Sequence, residues 1–379
     1  MKLQHIKIVI VIACLVMCLP AMAQQGLEQP KPVGNAASAF DTTRDDGYWK
    51  RALMHGQLNL KDTTVSYPGL IHFGVKCYRW FDRYLNTYDT TYIVGTGTKW
   101  KFTVKESNWL DSYAGNLTSQ RVPIMINSNV TCFFGIHGSY SGLGLGYTIN
   151  LNDLITGRRI KNIRWEFNFN TSRVMLEGYY SKDVRESNLH HLGNFKSVFK
   201  SVKFKGLSRE YWGGYTYYIF NHMHYMQSAA YSFSRYQIRS SGSFIAGLHF
   251  SHQDFTMDFN QLDEELQKNL PDERRVYRFR YRDYSFLLGY GYNWAFRKHW
   301  LFNITALTGV GYRHSFPSSV EGKKDMMSIS FRVKSGLVLN RSKFFYGVQF
   351  ISDGHLYHTN QYRFFNAIFN LNVITGFRF

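Results

Sequence analysis

His249-Phe250-Ser251 places an imidazole and a hydroxyl two residues apart, with His252, Asp254 and Asp258 close behind. Side chains at i and i+2 of an extended chain share a face, so a base there can reach a nucleophile. The flanking pattern decides which face. Phe244, Ala246, Leu248 and Phe250 form the apolar row, leaving His249 and Ser251 with Ser243, Ile245, Gly247 and Gln253 on the other. Interior packing is the preferred reading of the pair, and catalysis the alternative.

Metal chemistry has thinner support. Asp353 and His355 share a face ahead of Tyr357 and His358, and His190-His191 and His222-x-His224 are further pairs. With 14 histidines such neighbours arise from composition alone, and no His-x₃-His spacing accompanies them. Cys14 and Cys18 lie in the leader described below, so Cys77 and Cys132 leave one possible pairing and no metal cluster. The expectation is no metal and no cofactor.

Three arginines carry a sharper suggestion. Tyr284, Phe286, Leu288, Tyr290, Tyr292 and Trp294 share one face of a strand-like run, opposite Ser285, Leu287, Gly289, Gly291 and Asn293. The ten steps from Tyr284 to Trp294, at about 3.3 Å each and tilted near 40°, project to roughly 25 Å. That is the height of a lipid-facing band, with aromatics at both margins. The same face continues past Tyr284 to Arg282, Arg280 and Arg278, just beyond the band. Guanidinium forks suit lipid phosphates there. A twisted, solvated strand whose arginines pair with Asp272, Glu273 or Asp283 is the competing reading. The run Lys196, Lys200, Lys203, Lys205 and Arg209, interleaved with Phe195, Val198, Phe199, Val202, Phe204 and Leu207, is also basic and amphipathic. It suits a membrane surface or, as the preferred reading, a hairpin edge guarded by lysines.

The elements that position these groups read as strands. At the end of the chain Phe365, Ala367, Phe369, Leu371, Val373, Thr375, Phe377 and Phe379 alternate with Asn366, Ile368, Asn370, Asn372, Ile374, Gly376 and Arg378. One apolar row against one polar or small row is the pattern of a strand between lipid and an aqueous interior. A terminal aromatic, here Phe379 with Phe377, is the signal that bacterial barrel-insertion machinery reads. Thirteen candidate strands follow one another: 99–109, 122–134, 139–151, 162–171, 173–182, 207–220, 224–236, 240–254, 279–296, 299–314, 326–340, 344–357 and 363–379. Single-chain bacterial barrels have an even number. Twelve is therefore expected, with the first or one central candidate not a strand. Links near 238–241, 297–299 and 340–343 are short, as periplasmic turns are, whereas 255–278, 315–325 and 353–362 are longer and should face outward.

The start fits that destination. Lys2 and Lys7, an apolar stretch from Ile8 to Leu19, and Ala21-Met22-Ala23 form a cleavable secretory leader over 1–23. A lipoprotein site at Cys14 would leave a very short apolar core and an apolar mature terminus. No later run reaches the roughly 18 apolar residues of a membrane helix. The formal charge is +19, and losing Lys2 and Lys7 leaves +17, which points to a polyanionic neighbour. In the outer membrane that neighbour is lipopolysaccharide; nucleic acid is excluded by compartment. Residues 24–98 read as a flexible lead-in and a small periplasmic or plug segment, in which Phe73, Cys77, Trp80, Phe81 and Tyr84 recur at helical spacing. The barrel occupies 99–379.

The blocks 94–101 (VGTGTKWK), 229–236 (AAYSFSRY), 240–247 (SSGSFIAG), 289–294 (GYGYNW) and 353–357 (DGHLY) resemble an uncharacterised family of secreted Bacteroidota proteins, domain of unknown function 4421. The resemblance runs from about Tyr48 to Phe379. It implies an outer-membrane barrel and assigns no activity, so it supplies no catalytic residues to carry over. The His-x-Ser spacing is also similar to that of lipid A deacylases, which hold their pair toward lipid; the parity of His249 and Ser251 departs from this.

The expected fold is an all-β, antiparallel transmembrane barrel of about twelve strands with a short N-terminal periplasmic segment. The expected function is a narrow pore for small solutes with a basic, lipopolysaccharide-contacting rim. A filled structural, assembly or adhesion barrel is the alternative, and a lipid-modifying enzyme the third reading. Twelve strands enclose an interior that side chains can fill, so the sequence leaves pore and filled barrel open.

Overall fold

The computed structural model describes residues 47–54, 62–117, 122–140, 142–155, 162–196, 201–270, 274–297, 299–358 and 363–379. The expected leader at 1–23, the start of the lead-in, Lys200, Asp272 and Glu273 lie outside them. The chain divides into two units, 1–84 and 85–379.

The first unit holds helix α1 (Tyr48–Met54) and nearly all of helix α2 (Gly69–Leu85). Val75 of α2 packs with Val65 and Tyr67, and Tyr48 and Trp49 close over them. Arg79 lies across the Tyr67 ring and donates to the Asp62 carbonyl at 2.5 Å.

The second unit is a β-barrel. Its strands are β1 (Ile93–Gly95), β2 (Trp100–Asn116), β3 (Pro123–Ser128), β4 (Thr131–Tyr140), β5 (Leu143–Asn150), β6 (Ile163–Asn170), β7 (Val174–Leu192), β8 (Phe195–Lys196) and β9 (Val202–Ile219). They continue with β10 (Arg235–Gln237), β11 (Ser241–Asp258), β12 (Val276–Arg297), β13 (Trp300–Ser315), β14 (Lys324–Asn340), β15 (Phe344–His358) and β16 (Arg363–Arg378). Every pairing is antiparallel, and β16 returns to β2 from Arg363↔Asn116 to Arg378↔Lys101. Closure removes the free edges whose unpaired N–H and C=O groups hydrocarbon cannot solvate.

The ring is not the same all the way up. At the end that carries Phe379, here the near end, twelve strands surround the lumen: β2, β4, β5, β6, β7, β9 and β11 to β16. Toward the far end β3 pairs with β2 on one side and β7 on the other, so ten strands close the wall. Strands β3 and β4 are one descending run broken at Asn129-Val130, and the eight-residue strands β5 and β6 are wedged beside its lower half. The break is stitched to β7 by Asn129 N–H donating to the Glu186 carbonyl at 2.9 Å. Behind it Arg209 lies 3.1 Å from Asp111 and 3.5 Å from Asp183.

Alternation sorts the two faces as the sequence pattern requires. Tyr284 to Trp294 of β12 point outward and exposed, while Asp283, Ser285, Leu287 and Asn293 are buried inward. The short hairpin does likewise: Leu143, Leu145, Tyr147, Trp165 and Phe167 are all exposed. No described helix is long and apolar enough to cross a membrane. An apolar outer belt with aromatic margins on a closed ring is that of a transmembrane β-barrel.

One expected strand is absent. Residues 224–236 form no wall strand: the link from β9 to β11 runs from Phe220 to Ser240 and holds helix α3 (Ser228–Tyr231) and β10. Its local alternation comes from side chains packed inside a curved space, not on a pleat. Far-end strands also run longer than expected, β11 to Asp258 and β12 from Val276, because they extend past the belt.

Candidate functional site

The lumen is built from inward rows that sequence alternation assigns to the interior, and they meet in three layers. The far end is apolar. Tyr113, Phe255, Phe279 and Phe364 stack with ring centroids 4.8–6.1 Å apart, joined by Phe204, Phe259, Tyr277, Tyr281 and Tyr357. Arg313 is fully buried among them, its guanidinium 3.9 Å from the Tyr281 ring centroid and bonded to Asp283 at 2.7 and 2.8 Å.

The middle layer is ionic. Glu177 on β7 accepts from Arg332 at 2.8 Å and from Lys334 at 2.6 Å, both on β14 across the barrel. Arg332 also lies 3.3 Å from Asp353 and stacks over Tyr215 at 3.8 Å. A second group joins Glu166 to Lys105 at 2.5 Å and Arg164 at 2.8 Å, with Arg164 over the Trp109 ring. Strands too far apart to share a ladder are thus tied through the interior. A cavity of about 190 Å³ remains between these groups, lined by Lys105, Arg164, Glu166, Glu177, Tyr179 and Lys334 among others.

The near end is closed by the chain itself. Residues 221–238 fold up into the mouth, where wall side chains grip their backbone. Gln349 donates to the carbonyls of Ala230 (2.9 Å) and Tyr231 (3.2 Å), Asn293 to Met226 (2.9 Å), Arg378 to Phe233 (3.0 Å) and Lys101 to Ser232. Tyr225 and Tyr231 reach Asn303 at 3.0 and 2.5 Å. Two wall glycines make the seat: a Cβ at Gly291 would stand 2.3 Å from the Tyr225 hydroxyl oxygen, and one at Gly347 2.8 Å from the Phe233 ring. Phe233 takes φ 54°, a left-handed turn that a non-glycine holds only when its surroundings impose it, here by stacking on Phe345 at 4.5 Å. β1, just ahead of the barrel, pairs with β10 of this plug from Ile93↔Gln237 to Gly95↔Arg235.

His249 and Ser251 face the lumen, as their parity requires. His249 is 3.1 Å from the Tyr179 hydroxyl and stacks on Tyr215 at 4.1 Å; Ser251 is fully buried and its hydroxyl has no partner, His249 included. The structure does not join them as base and nucleophile. Arg278, Arg280 and Arg282 stand outward beyond Tyr284. Arg278 is forked onto Asp254 at 2.9 and 2.5 Å, Arg280 lies 3.6 Å from the same carboxylate, and Arg280 and Arg282 flank the Phe316 ring. Asp283, weighed as their partner, turns inward to Arg313 instead. Nearby on the rim, hydrogen bonds from Tyr312 and then His314 hold the Asp325 carboxyl below its usual range. Phe377 and Phe379 stack at 5.8 Å, and Phe379 exchanges two 3.0 Å backbone bonds with Trp100, sealing the seam.

Lys203 and Lys205 lie exposed on β9 with Phe204 buried between them, a strand and not a surface helix. Cys77 and Cys132 are free thiols. Among the described residues no group of three His, Cys, Asp or Glu is placed to hold a metal. The plug and the ionic braces went unread because their partners are separated by up to 157 residues in the chain. The one signal was composition: an inward row with Arg332 and Lys334 demands acids opposite.

The model of a domain of unknown function, DUF4421, matches residues 87–379. The chain belongs to that family. No curated protein matches it in sequence. Among solved structures this DUF4421 protein is similar to the outer membrane protease OmpT from Escherichia coli, at 8% identity and TM-score 0.34, over 74% of this chain and 97% of that one. It is also similar to the Pseudomonas putida toluene transporter TodX, at 8% and 0.26 over 74% and 90%. An anion-selective porin from Comamonas acidovorans matches at 10% and 0.22 over 74% and 100%.

Proposed function

We propose that this DUF4421 protein is an outer-membrane barrel, near end to the periplasm, whose lumen is closed at rest and which acts through its rims and surface. One observation carries the reading: the lumen is obstructed at three levels, by far-end aromatics, by crossing ion pairs and by residues 221–238. A passive pore needs a continuous water path, and buried ion pairs with excellent geometry are costly to break. The rim arginines are the proposed lipopolysaccharide contact, with Arg282 the most available since it stacks on Phe316 and forms no ion pair among the described residues, whereas Arg278 is held by Asp254. A gated channel is the second reading, favoured by the cavity behind a plug that is a single continuous segment. Planar-bilayer conductance of residues 24–379 tests the proposal. Silence is expected, and steady single-channel current overturns it.

A further inference from the structure

We propose that helix α2 is an in-plane membrane anchor, its aromatic stripe seated in the lipid surface. Phe73, Cys77, Trp80, Phe81 and Tyr84 recur at i, i+4, i+7, i+8 and i+11, which at about 100° per residue gathers them within roughly 100° of the helix circumference. Val75 faces the other way into the small core of the first unit. The stripe is outward: Phe73 is 67% exposed, Trp80 60% and Phe81 53%. A helix that buries one face in its own unit and presents aromatics on the opposite face has a second apolar surface to satisfy.

Charge selects the occupant. His72 and Lys76 fall together along one margin of the stripe, so the flank offers basic groups where lipid phosphates lie. Trp and Tyr beside an aliphatic boundary are the residues of a membrane interface. The last residue of α2 also belongs to the barrel rim: the Leu85 carbonyl accepts from the Ser172 amide at 3.0 Å and the Ser172 hydroxyl at 2.7 Å. Ser172 sits in the near-end turn between β6 and β7.

Spin labels on reconstituted protein decide the matter. In a Cys77→Ser, Cys132→Ser background, single cysteines replace Phe73, Phe81, the opposite-face Ile71, or the belt residue Phe286. Proteins are placed in phosphatidylethanolamine–phosphatidylglycerol vesicles and read by collision with oxygen or a water-soluble nickel chelate. Oxygen-favoured signals at 73 and 81 with a nickel-favoured one at 71 are expected, shifting toward nickel when phosphatidylglycerol is omitted. Nickel-favoured labels at 73 and 81, or labels shielded from both probes as under a protein partner, overturn the proposal. The label at 286 keeps the readings apart, because its oxygen-favoured signal reports the barrel independently. If correct folding of a labelled variant is lost, quenching of Trp80 by brominated lipid, measured as the difference from Trp80→Leu, supplies the same answer.

Discussion

Glu177 and Lys334 meet at 2.6 Å across the lumen, one from β7 and the other from β14, and Arg332 closes on the same carboxylate at 2.8 Å. Neither strand touches the other in the wall, so this contact sets how far apart two sides of the barrel stand. Glu177→Gln leaves two buried cations sharing Asp353 alone, and should cost about 3 kcal/mol. Adding Lys334→Gln should recover part of that loss. Guanidinium unfolding of detergent-refolded protein, followed by heat-modifiable gel migration, checks both; an additive double variant would mean the pair is not coupled.

The plug should yield to crowding of its seat. Gly291→Val and Gly347→Val each put atoms where the Tyr225 hydroxyl and the Phe233 ring now lie. The combined variant is expected to show fluctuating bilayer current or faster proteolysis within 221–238. An intact, silent, protease-resistant mouth would show that the seat tolerates the added methyl groups.

Lipid contact at the rim should depend on which arginine is spent. Arg282→Gln is expected to lower lipopolysaccharide co-purification more than Arg278→Gln, whose guanidinium is already occupied by Asp254. Equal lipid content in both variants and the parent, measured by phosphate analysis, would remove the rim from the proposal.

Ser251→Ala should leave stability unchanged or raised by up to about 1 kcal/mol, since it deletes a buried hydroxyl that has no partner. A functional nucleophile would instead show lost lipid turnover with stability intact. Phe379→Ala removes a ring from the seam that Trp100 closes. It should reduce the heat-modifiable fraction recovered in outer membranes without moving the unfolding midpoint of the protein that does assemble.

Alternation by itself determined the wall. The rows of β12 and β16 assigned Tyr284 to the belt and Asn370 to the interior, and the parity of His249 and Ser251 turned them inward, because a period of two is a local property of an extended chain. The even strand number followed from closure, with one of thirteen candidates surplus. Which one was surplus needed the tertiary structure: 224–236 alternates like a strand, yet its carbonyls are taken by Gln349, Asn293 and Arg378 from distant strands. The narrowing from twelve strands to ten also depends on β3 meeting β7, about sixty residues away. Such contacts are set by register and loop closure over long separations, and nothing in a local window of sequence encodes them.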